Sequence, residues 1–432
     1  MGRFRRDAAV LDRIAARPST RRASTTTVRR RSLKGRGARA DTSSVGVFAS
    51  PLVEQRRPAP PLPATKRALK VVFFTTSYPR HEDDFAGRFV SEPVERLRAR
   101  GFVVDVVHPG VYNDYGLAFD GGGIIRNLKR RPWVAPLLAL SMIRALRRAA
   151  KDADVVHAQW LAGGVIALFC GKPFVVSLLG SISGGVLDDF LLLRRAPWLV
   201  RPILHRAKAT ICISQALVES AERAKIRNIH FIPIGIDVPD ACGQEAAPLE
   251  VFYTGRLSPE KGIQDLVSVR DGLNLVVSGD GPLRHLVPDA LGFVSREELE
   301  RRYARAAVVV VPSRSEGFGV VCAEAMARGK AVVAGATGGL LGLVSHEQTG
   351  LLVQPGNPAE LRSAIDRLLA DATLRRRLGD AARAWISELC SWERVLDSTT
   401  AAYAEALGRD DLLAAPAPAP APAPAPVSIA AA

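Results

Sequence analysis

The feature that most constrains the fold is a strand, loop, helix and strand that follow one another around position 320. Four valines, Val308–Val311, predict a short buried parallel strand. The loop SRSEGFG follows, and Val320–Arg328 then predicts a helix that Gly329 ends in a left-handed turn. Ala331–Ala334 predicts the next strand. A strand and helix alternating in this way favour an α/β fold with parallel sheets.

Two carboxylates mark this segment, Glu316 in the loop and Glu324 in the helix. Glu316 would project from the carboxyl end of a strand, where open α/β sheets bind their ligands. Gly317 and Gly319 allow a ligand to approach the backbone, and the N–H groups at the start of a helix suit a diphosphate. The alternative is a surface acid beside an ordinary helix glutamate.

A second candidate site segment is GRLSPEKG, which follows the predicted strand Val251–Thr254. It places Arg256 and Lys261 in the loop and the early turn beyond the strand. Arginine offers a planar fork and lysine a mobile point charge, and together they can hold a diphosphate. By chemistry alone, a pair of surface cations is an equally ordinary interpretation.

Both segments resemble a known signature. SEGFGVVCAEAMARGKAVVA, with its two glutamates, and GRLSPEKG, in the pattern G-R-x-x-x-x-K-G, resemble the retaining nucleotide-sugar glycosyltransferases of the GT-B fold, family 4. The resemblance extends over residues 69–407. It implies two Rossmann-like domains whose parallel sheets face a central cleft. It also implies transfer of a hexose from a nucleotide diphosphate sugar to a hydroxyl of a glycan or lipid-linked acceptor, with retained anomeric configuration.

The resemblance also assigns roles to residues. Glu316 would be the catalytic residue, close to the reacting carbon of the donor sugar, and Glu324 would hold the ribose hydroxyls. The remaining donor-binding positions would contact the phosphates, the sugar or the nucleobase: Gly87, Arg256, Lys261, Val294, Gly317, Phe318 and Gly319.

One motif departs from the family. Where the family reads T-x-H-G-S-D, this chain reads SLLGSI, so Leu179 stands at the histidine position and Ile182 at the aspartate position. Gln159 likewise replaces a frequent second histidine, and His157 is interpreted as a buried, hydrogen-bonded core residue. An active enzyme is the favoured hypothesis. The alternative is a catalytically impaired GT-B module that binds a nucleotide sugar or a partner enzyme.

The organisation of the chain follows from changes in composition. Short apolar runs predict strands at 69–75, 102–107, 154–158, 174–179, 209–214 and 229–233 in the first half. The predicted parts are a disordered basic arm (1–65), an N-terminal Rossmann-like acceptor domain (66–240), a C-terminal Rossmann-like nucleotide-sugar domain (249–390), a C-terminal helix that returns to the N-terminal domain (391–408) and an Ala/Pro-rich tail (409–432).

Charge is concentrated at the start of the chain. The formal net charge is +16, and residues 1–65 hold 15 Lys and Arg against 4 Asp and Glu, which leaves only +5 for the rest. The arm is compatible with a transit peptide, a start codon placed too far upstream, or binding to anionic lipid or nucleic acid. The body lacks interleaved aromatic and basic stripes, so no nucleic-acid partner is expected.

Cysteine usage and apolar runs bear on compartment and cofactors. The five cysteines have no paired spacing, which argues against a zinc site or a disulfide framework and favours the cytoplasm. Trp160–Leu187 is apolar enough to suggest a membrane span, but Lys172-Pro173 and several glycines favour a buried α/β core. No Asp-x-Asp follows a predicted strand, so we expect no metal and no cofactor beyond the nucleotide sugar substrate.

Residues 126–149 form a basic, amphipathic segment with Trp133 near its centre. Such a segment can rest on an anionic membrane, which would place the protein at the inner face of the membrane. The favoured interpretation is a solvated helix that packs its apolar side on the sheet. Many enzymes of the resembled family use lipid-linked acceptors, so the peripheral membrane contact stays open.

Overall fold

The structure is a computed structural model that describes residues 68–79, 87–118, 123–180, 189–240 and 243–412. The predicted basic arm lies outside these residues, as do Ile182 and the part of the predicted Ala/Pro-rich tail beyond Leu412. Within the described residues the chain forms two parallel sheets covered by helices.

The N-terminal sheet has six strands in the order β2-β1-β3-β4-β5-β6, and all of its neighbours are parallel. Valine, isoleucine and phenylalanine dominate the central strands, which are buried on both faces as parallel strands require. The strands are β1 (Lys70–Phe74), β2 (Val103–Val107), β3 (Val155–Gln159), β4 (Phe174–Leu178), β5 (Ala209–Cys212) and β6 (Ile229–Phe231).

The helices of this half connect the strands. They are α1 (Arg88–Ala99), α2 (Gly123–Leu128), α3 (Ala135–Ala149), α4 (Trp160–Ala167), α5 (Asp189–Arg195), α6 (Pro197–Leu204) and α7 (Gln215–Arg223). The basic segment 126–149 is not one helix, because the chain leaves helix after Leu128 and re-enters through a 3₁₀ turn that begins at Pro132. Proline has no N–H to donate in a helix interior, so it stands at the start of the second piece.

The C-terminal sheet has five parallel strands in the order β11-β10-β9-β7-β8. They are β7 (Glu250–Thr254), β8 (Leu275–Ser278), β9 (Ala306–Val311), β10 (Ala331–Gly335) and β11 (Leu351–Val353). The helices of this half are α8 (Ile263–Val267), α9 (Arg296–Arg305), α10 (Val320–Ala327), α11 (Leu340–Leu343), α12 (Pro358–Ala370), α13 (Ala372–Leu389) and α14 (Trp392–Leu407).

The two sheets share one topology. In each, the first strand lies between the second and the third, so the strand order reverses between β1 and β3 in one sheet and between β7 and β9 in the other. Ligands of open α/β sheets bind outside the carboxyl ends of the strands at such a reversal. The topology therefore points to the loops after β7 and β9, and to those after β1 and β3.

The last helix, α14, packs on the N-terminal sheet rather than on the sheet that precedes it in the chain. Its Tyr403 hydroxyl is hydrogen-bonded to Nδ1 of His157 at 2.7 Å, and Ser177 Oγ lies 2.7 Å from Nε2 of the same ring. Burial lowers the pKa of His157 to about 3, so the ring is neutral near pH 7. The interpretation of His157 as a buried, hydrogen-bonded core residue is confirmed.

An apolar core runs between the two sheets. Buried side chains of both halves belong to one cluster, which includes Leu217 on α7 and Leu340 on α11, and these two helices are in contact. The apolar run that suggested a membrane span supplies α4 and β4 to this core, as far as it is described. None of the helices in the described ranges combines the length and apolar character needed to cross a bilayer.

Candidate active site

The loops at the carboxyl end of the C-terminal sheet are packed backbone against backbone. A Cβ on Gly262 would lie 1.9 Å from the carbonyl oxygen of Pro312, and one on Gly279 would lie 1.9 Å from that of Gly255. Gly262 and Gly279 also have φ values of +70° and +122°, which side chains rarely adopt. Only glycine fits at these contacts, and the loops after β7, β8 and β9 are thereby held together at the point where the strand order reverses.

A charged pair joins the loops on either side of that reversal. Lys261, beyond β7, donates a hydrogen bond from Nζ to Oε2 of Glu316, beyond β9, at 2.6 Å. Ser313 Oγ donates to the same oxygen at 3.3 Å. The side chains are 30% and 12% exposed, so the pair is accessible from the crevice but largely shielded from water. Water screens such a cation and carboxylate only weakly, so their charges can act strongly on a charged ligand.

Arg256 lies on the same loop as Lys261. It is half-buried, and its carbonyl oxygen accepts a hydrogen bond of 3.0 Å from the Tyr253 hydroxyl, which anchors the loop to β7. The two predicted diphosphate-binding cations therefore sit on one short segment, with Glu316 in direct contact with the second of them.

The glycine-rich loop around Glu316 leads into α10. Gly319 has φ +106° and precedes the first residue of the helix, which leaves the N–H groups of the first turn facing the loop. The carbonyl of Glu316 accepts a hydrogen bond of 3.0 Å from Gly339 N, which fixes the loop to the turn after β10. The side chain of Phe318 lies in the apolar core, so this predicted donor contact has only its backbone in the loop.

Glu324, one turn further along α10, belongs to a different set of contacts. Its Oε2 accepts a hydrogen bond of 2.9 Å from the Tyr303 hydroxyl on α9, and its carbonyl accepts one of 2.7 Å from Arg328. Removal from water raises the pKa of the Glu324 carboxyl, while the positive charge of Arg328 opposes that rise. Arg328 also stacks on Tyr303, with its guanidinium carbon 4.7 Å from the ring centre.

The N-terminal half approaches Glu324 through α1. Arg296, the first residue of α9, contacts Glu92 on α1 at 3.4 Å and Asp237 in the connection between the two sheets at 3.3 Å. Burial is the main reason why the pKa of Glu92 is raised, and its charge also raises that of Glu324. Arg296 therefore bridges the two halves beside the predicted ribose contact.

Two predicted positions flank this seam. Gly87 directly precedes α1 with φ +82°, and a Cβ there would lie 2.6 Å from the Cα of Tyr78 in the loop after β1. Val294 is half-buried in the turn before α9, and that turn is tied to the end of β8 by a 2.7 Å hydrogen bond from Gly279 N to the carbonyl of Gly292.

The N-terminal sheet presents Leu179 and Gly180 at the end of β4. A Cβ on Gly180 would lie 2.8 Å from the Cα of Gly317, so this turn touches the glutamate loop directly. Leu179 is half-buried against the apolar core. Asp189, which is 0% exposed, accepts hydrogen bonds from the backbone N–H groups of Leu161, Leu179 and Gly180 at 2.9–3.2 Å.

The structure brings Lys261 and Glu316 into direct contact. Gly317 touches the turn after β4 of the opposite half, and Glu324 lies with α9 and near α1. Sequence reasoning missed the residues that support these groups: Glu92, Asp189, Arg296, Tyr303, Ser313 and Arg328. Their types are ordinary for helix surfaces and caps, and only contacts between segments distant in sequence reveal them.

Comparison with known proteins identifies the family. The model for glycosyl transferases group 1 matches residues 243–385, and that for a glycosyl transferase 4-like domain matches residues 86–235. An uncharacterized glycosyltransferase of Methanocaldococcus jannaschii is 34% identical over 298 residues, which cover 59% of this chain and 76% of that protein. The chain belongs to the group 1 glycosyltransferases.

Solved structures give the fold. Sucrose-phosphate synthase from Thermosynechococcus elongatus has a TM-score of 0.61 at 23% identity and covers 76% of this chain and 96% of its own. HepE of Anabaena, determined in complex with UDP-glucose, has a TM-score of 0.58 at 20% identity and covers 79% of this chain and 99% of its own. The predicted GT-B fold and the predicted glycosyltransferase class are confirmed, while retention and the roles of single residues stay predictions.

Proposed function

We propose that this glycosyltransferase transfers a hexose from a nucleotide diphosphate sugar to a hydroxyl of a glycan or lipid-linked acceptor, with retention of anomeric configuration. The observation that carries the proposal is the contact between Lys261 and Glu316 across the strand-order reversal of the C-terminal sheet. It sets a cation and a carboxylate beside the start of α10 and opposite the end of β4.

The chemistry follows from the charges. The bond between the anomeric carbon and the diphosphate oxygen breaks, so negative charge grows on the leaving diphosphate. Lys261, Arg256 and the N–H groups at the start of α10 would stabilise that charge, and preorganised groups of this kind usually supply the largest part of catalysis. The oxygen of the acceptor hydroxyl forms the new bond to the anomeric carbon, and its proton passes to an oxygen of the leaving diphosphate. Glu316 would stabilise the positive charge that develops on the sugar ring.

Glu324 would accept hydrogen bonds from the ribose hydroxyls. The Tyr303 hydroxyl already donates to one of its oxygens, which orients the carboxylate and leaves its other oxygen to a ligand. The positive charges of Arg328 and Arg296 oppose the rise in the pKa of this carboxyl that burial causes. Two basic side chains at the diphosphate make a metal ion unnecessary in this proposal. We further propose that the enzyme works in the cytoplasm.

The donor is tested by a panel of UDP-, GDP- and ADP-sugars, with the melting temperature of the protein as the readout. A donor that binds only the folded protein raises that temperature. Lys261→Ala and Glu324→Ala should weaken the rise, and Glu316→Ala should mainly slow transfer. Unchanged turnover in Glu316→Ala would remove this residue from the site.

The alternative of an impaired donor-binding module is separated by measuring the release of nucleoside diphosphate together with donor binding. An active enzyme releases diphosphate and glycosylates an acceptor. A donor that binds tightly without any release of diphosphate would establish the module instead, and Leu179 would then be the first residue to restore to histidine.

A further inference from the structure

The outer side of the N-terminal half carries an unusual group of exposed apolar side chains. They lie on or directly beside three helices, of which α3 contacts α4 and α4 contacts α6. We call them the three-helix surface: Trp133, Leu137, Leu140, Val165, Phe169, Trp198 and Leu199. The two tryptophans are 71% and 72% exposed. Single exposed apolar residues are ordinary, but a group on adjacent helices indicates an interaction site.

These side chains are not needed by the core. The core-facing side of α3 is formed by Leu138, Met142, Ala145 and Leu146, all of them buried. Leu137 and Leu140 lie on the same helix but are 52% and 42% exposed. On sequence grounds, a helix packed on the sheet and a segment resting on a membrane are alternatives. The structure allows both, because α3 has an apolar side for the sheet and further apolar residues outside it.

The charges along the two chain segments that carry α3 and α6 are of one sign. From Gly123 to Lys151, and again from Phe190 to Lys208, every charged residue is lysine or arginine. Arg130 and Arg131 are exposed next to Trp133, and Arg194 and Arg195 are exposed next to Trp198. Arg147 donates a 2.6 Å hydrogen bond from Nε to the carbonyl of Phe169, which places one cation at the backbone of a residue of this surface.

We propose that the three-helix surface docks on an anionic phospholipid bilayer, with Trp133 and Trp198 at the level of the headgroups. Tryptophan favours the interface between hydrocarbon and water, and arginine and lysine near it are attracted to anionic lipids. A second copy of the chain fits this surface poorly, because pairing it with itself would bring cations against cations. The surface extends the predicted membrane segment to α4 and α6, and it does not depend on the proposed sugar transfer.

The first experiment uses the full chain and vesicles of phosphatidylcholine with or without phosphatidylglycerol. Brominated acyl chains quench tryptophans that enter the bilayer. Residues 1–65 contain no tryptophan, so binding through the basic arm alone gives no quenching. We expect quenching only with the anionic vesicles, and we expect Trp133→Phe/Trp198→Phe to abolish it while the protein still sediments with the vesicles.

The second experiment measures the strength of binding. Trp133→Ala/Trp198→Ala should weaken sedimentation with anionic vesicles about tenfold, since two interfacial anchors are removed. Phe231→Ala, on the exposed edge strand β6, is the matched control and should bind as the wild type does. Arg130→Glu/Arg131→Glu should also weaken binding, whereas the reversal of another adjacent pair, Arg376→Glu/Arg377→Glu on α13, should not.

The outcomes separate this proposal from the proposed function. None of these variants should change the rise in melting temperature caused by the donor, so loss of lipid binding with an intact donor response supports the surface alone. The proposal is overturned if vesicle-bound protein shows no quenching, or if the alanine variant binds like the wild type. It is also overturned if the wild type forms a dimer that the tryptophan variants dissolve without any vesicle binding.

Discussion

The two sheets share the strand order around their reversals, but their carboxyl ends are built differently. In the C-terminal sheet, glycines bring the loops into backbone contact and leave a lysine and a glutamate, Lys261 and Glu316, facing the crevice. In the N-terminal sheet, the turn after β4 presents Leu179 and is held by a buried aspartate, Asp189. The carboxyl end of the C-terminal sheet carries a charged pair. That of the N-terminal sheet carries the apolar Leu179, whose backbone is held by Asp189.

The difference shows that the same strand order can carry different chemical groups in the two sheets. The reversal of strand order produces a crevice in both sheets, but the residues in the loops decide what the crevice does. The charged pair of Lys261 and Glu316 lies where glycines hold the loops in backbone contact.

The largest expected effect tests the backbone packing. Gly262→Ala should lower the free energy of unfolding by about 3–5 kcal/mol, because its Cβ would meet the Pro312 carbonyl oxygen and its φ is positive. Gly272→Ala is the control, because its φ is +75° but no atom lies within 4 Å of the added carbon. It should cost about 1–2 kcal/mol. Equal losses in the two variants, measured by denaturant unfolding, would show that the loops are not packed as described.

The next effect tests the charged pair. Lys261→Ala should lower kcat/KM for the donor about a hundredfold, the usual loss when a preorganised charge at the leaving group is removed. Arg270→Ala breaks an exposed pair with Asp289 in the same half and should change kcat/KM less than about twofold. Steady-state kinetics check both. A loss in Lys261→Ala no greater than in Arg270→Ala would contradict the assignment of the crevice to the C-terminal sheet.

The third effect tests the support beneath Leu179. Asp189→Asn should lower the free energy of unfolding by about 2–3 kcal/mol, because an amide cannot accept all three backbone hydrogen bonds and sets its own N–H groups against a donor. Asp240→Asn, at an exposed position, should have almost no effect. Because Asp189 supports the N-terminal sheet, donor binding should be little changed. A loss of donor affinity as large as that of Lys261→Ala would contradict the view that Asp189 supports the N-terminal sheet without affecting the donor site.

The smallest effect concerns His157. Its folded-state pKa of about 3 lies below the unfolded value of 6.5, so below pH 6.5 the unfolded chain binds a proton that the folded chain refuses. This residue should therefore lower stability as pH falls from 6.5 toward 3, by up to about 1.4 kcal/mol per unit. His157→Gln should show a shallower decrease between pH 6.5 and 5.5 in thermal melts. An unchanged slope would exclude His157 as its source.

The C-terminal half was predicted most closely from sequence. The strand and helix around Val308–Arg328 were placed within two residues, because valine runs and a terminating glycine are strong local signals. The prediction for the basic segment 126–149 was less accurate, because Pro132 divides the segment and its exposed apolar residues belong to a surface shared with α6. Nothing local marked Trp198 as part of that surface.

For the site as well, single residues were predicted from sequence, whereas the contacts between them were not. Glu316 and Lys261 were named from their motifs, but the hydrogen bond between them joins residues 55 positions apart. Tyr303 and Arg296 were missed because a tyrosine or an arginine on a helix is ordinary until its partner is known. Phe318 stays a predicted donor contact, and the structure adds that its side chain lies in the core, which leaves only its backbone in the loop.

By itself the sequence determined the local elements and the types of chemical group available, because both depend on short-range patterns of apolar, glycine and charged residues. Tertiary structure decided which of these groups meet. The order of strands in a sheet, the contact of α1 with α9, and the meeting of Gly180 with Gly317 all join distant segments. Such contacts arise from packing of the whole core, which no single segment encodes.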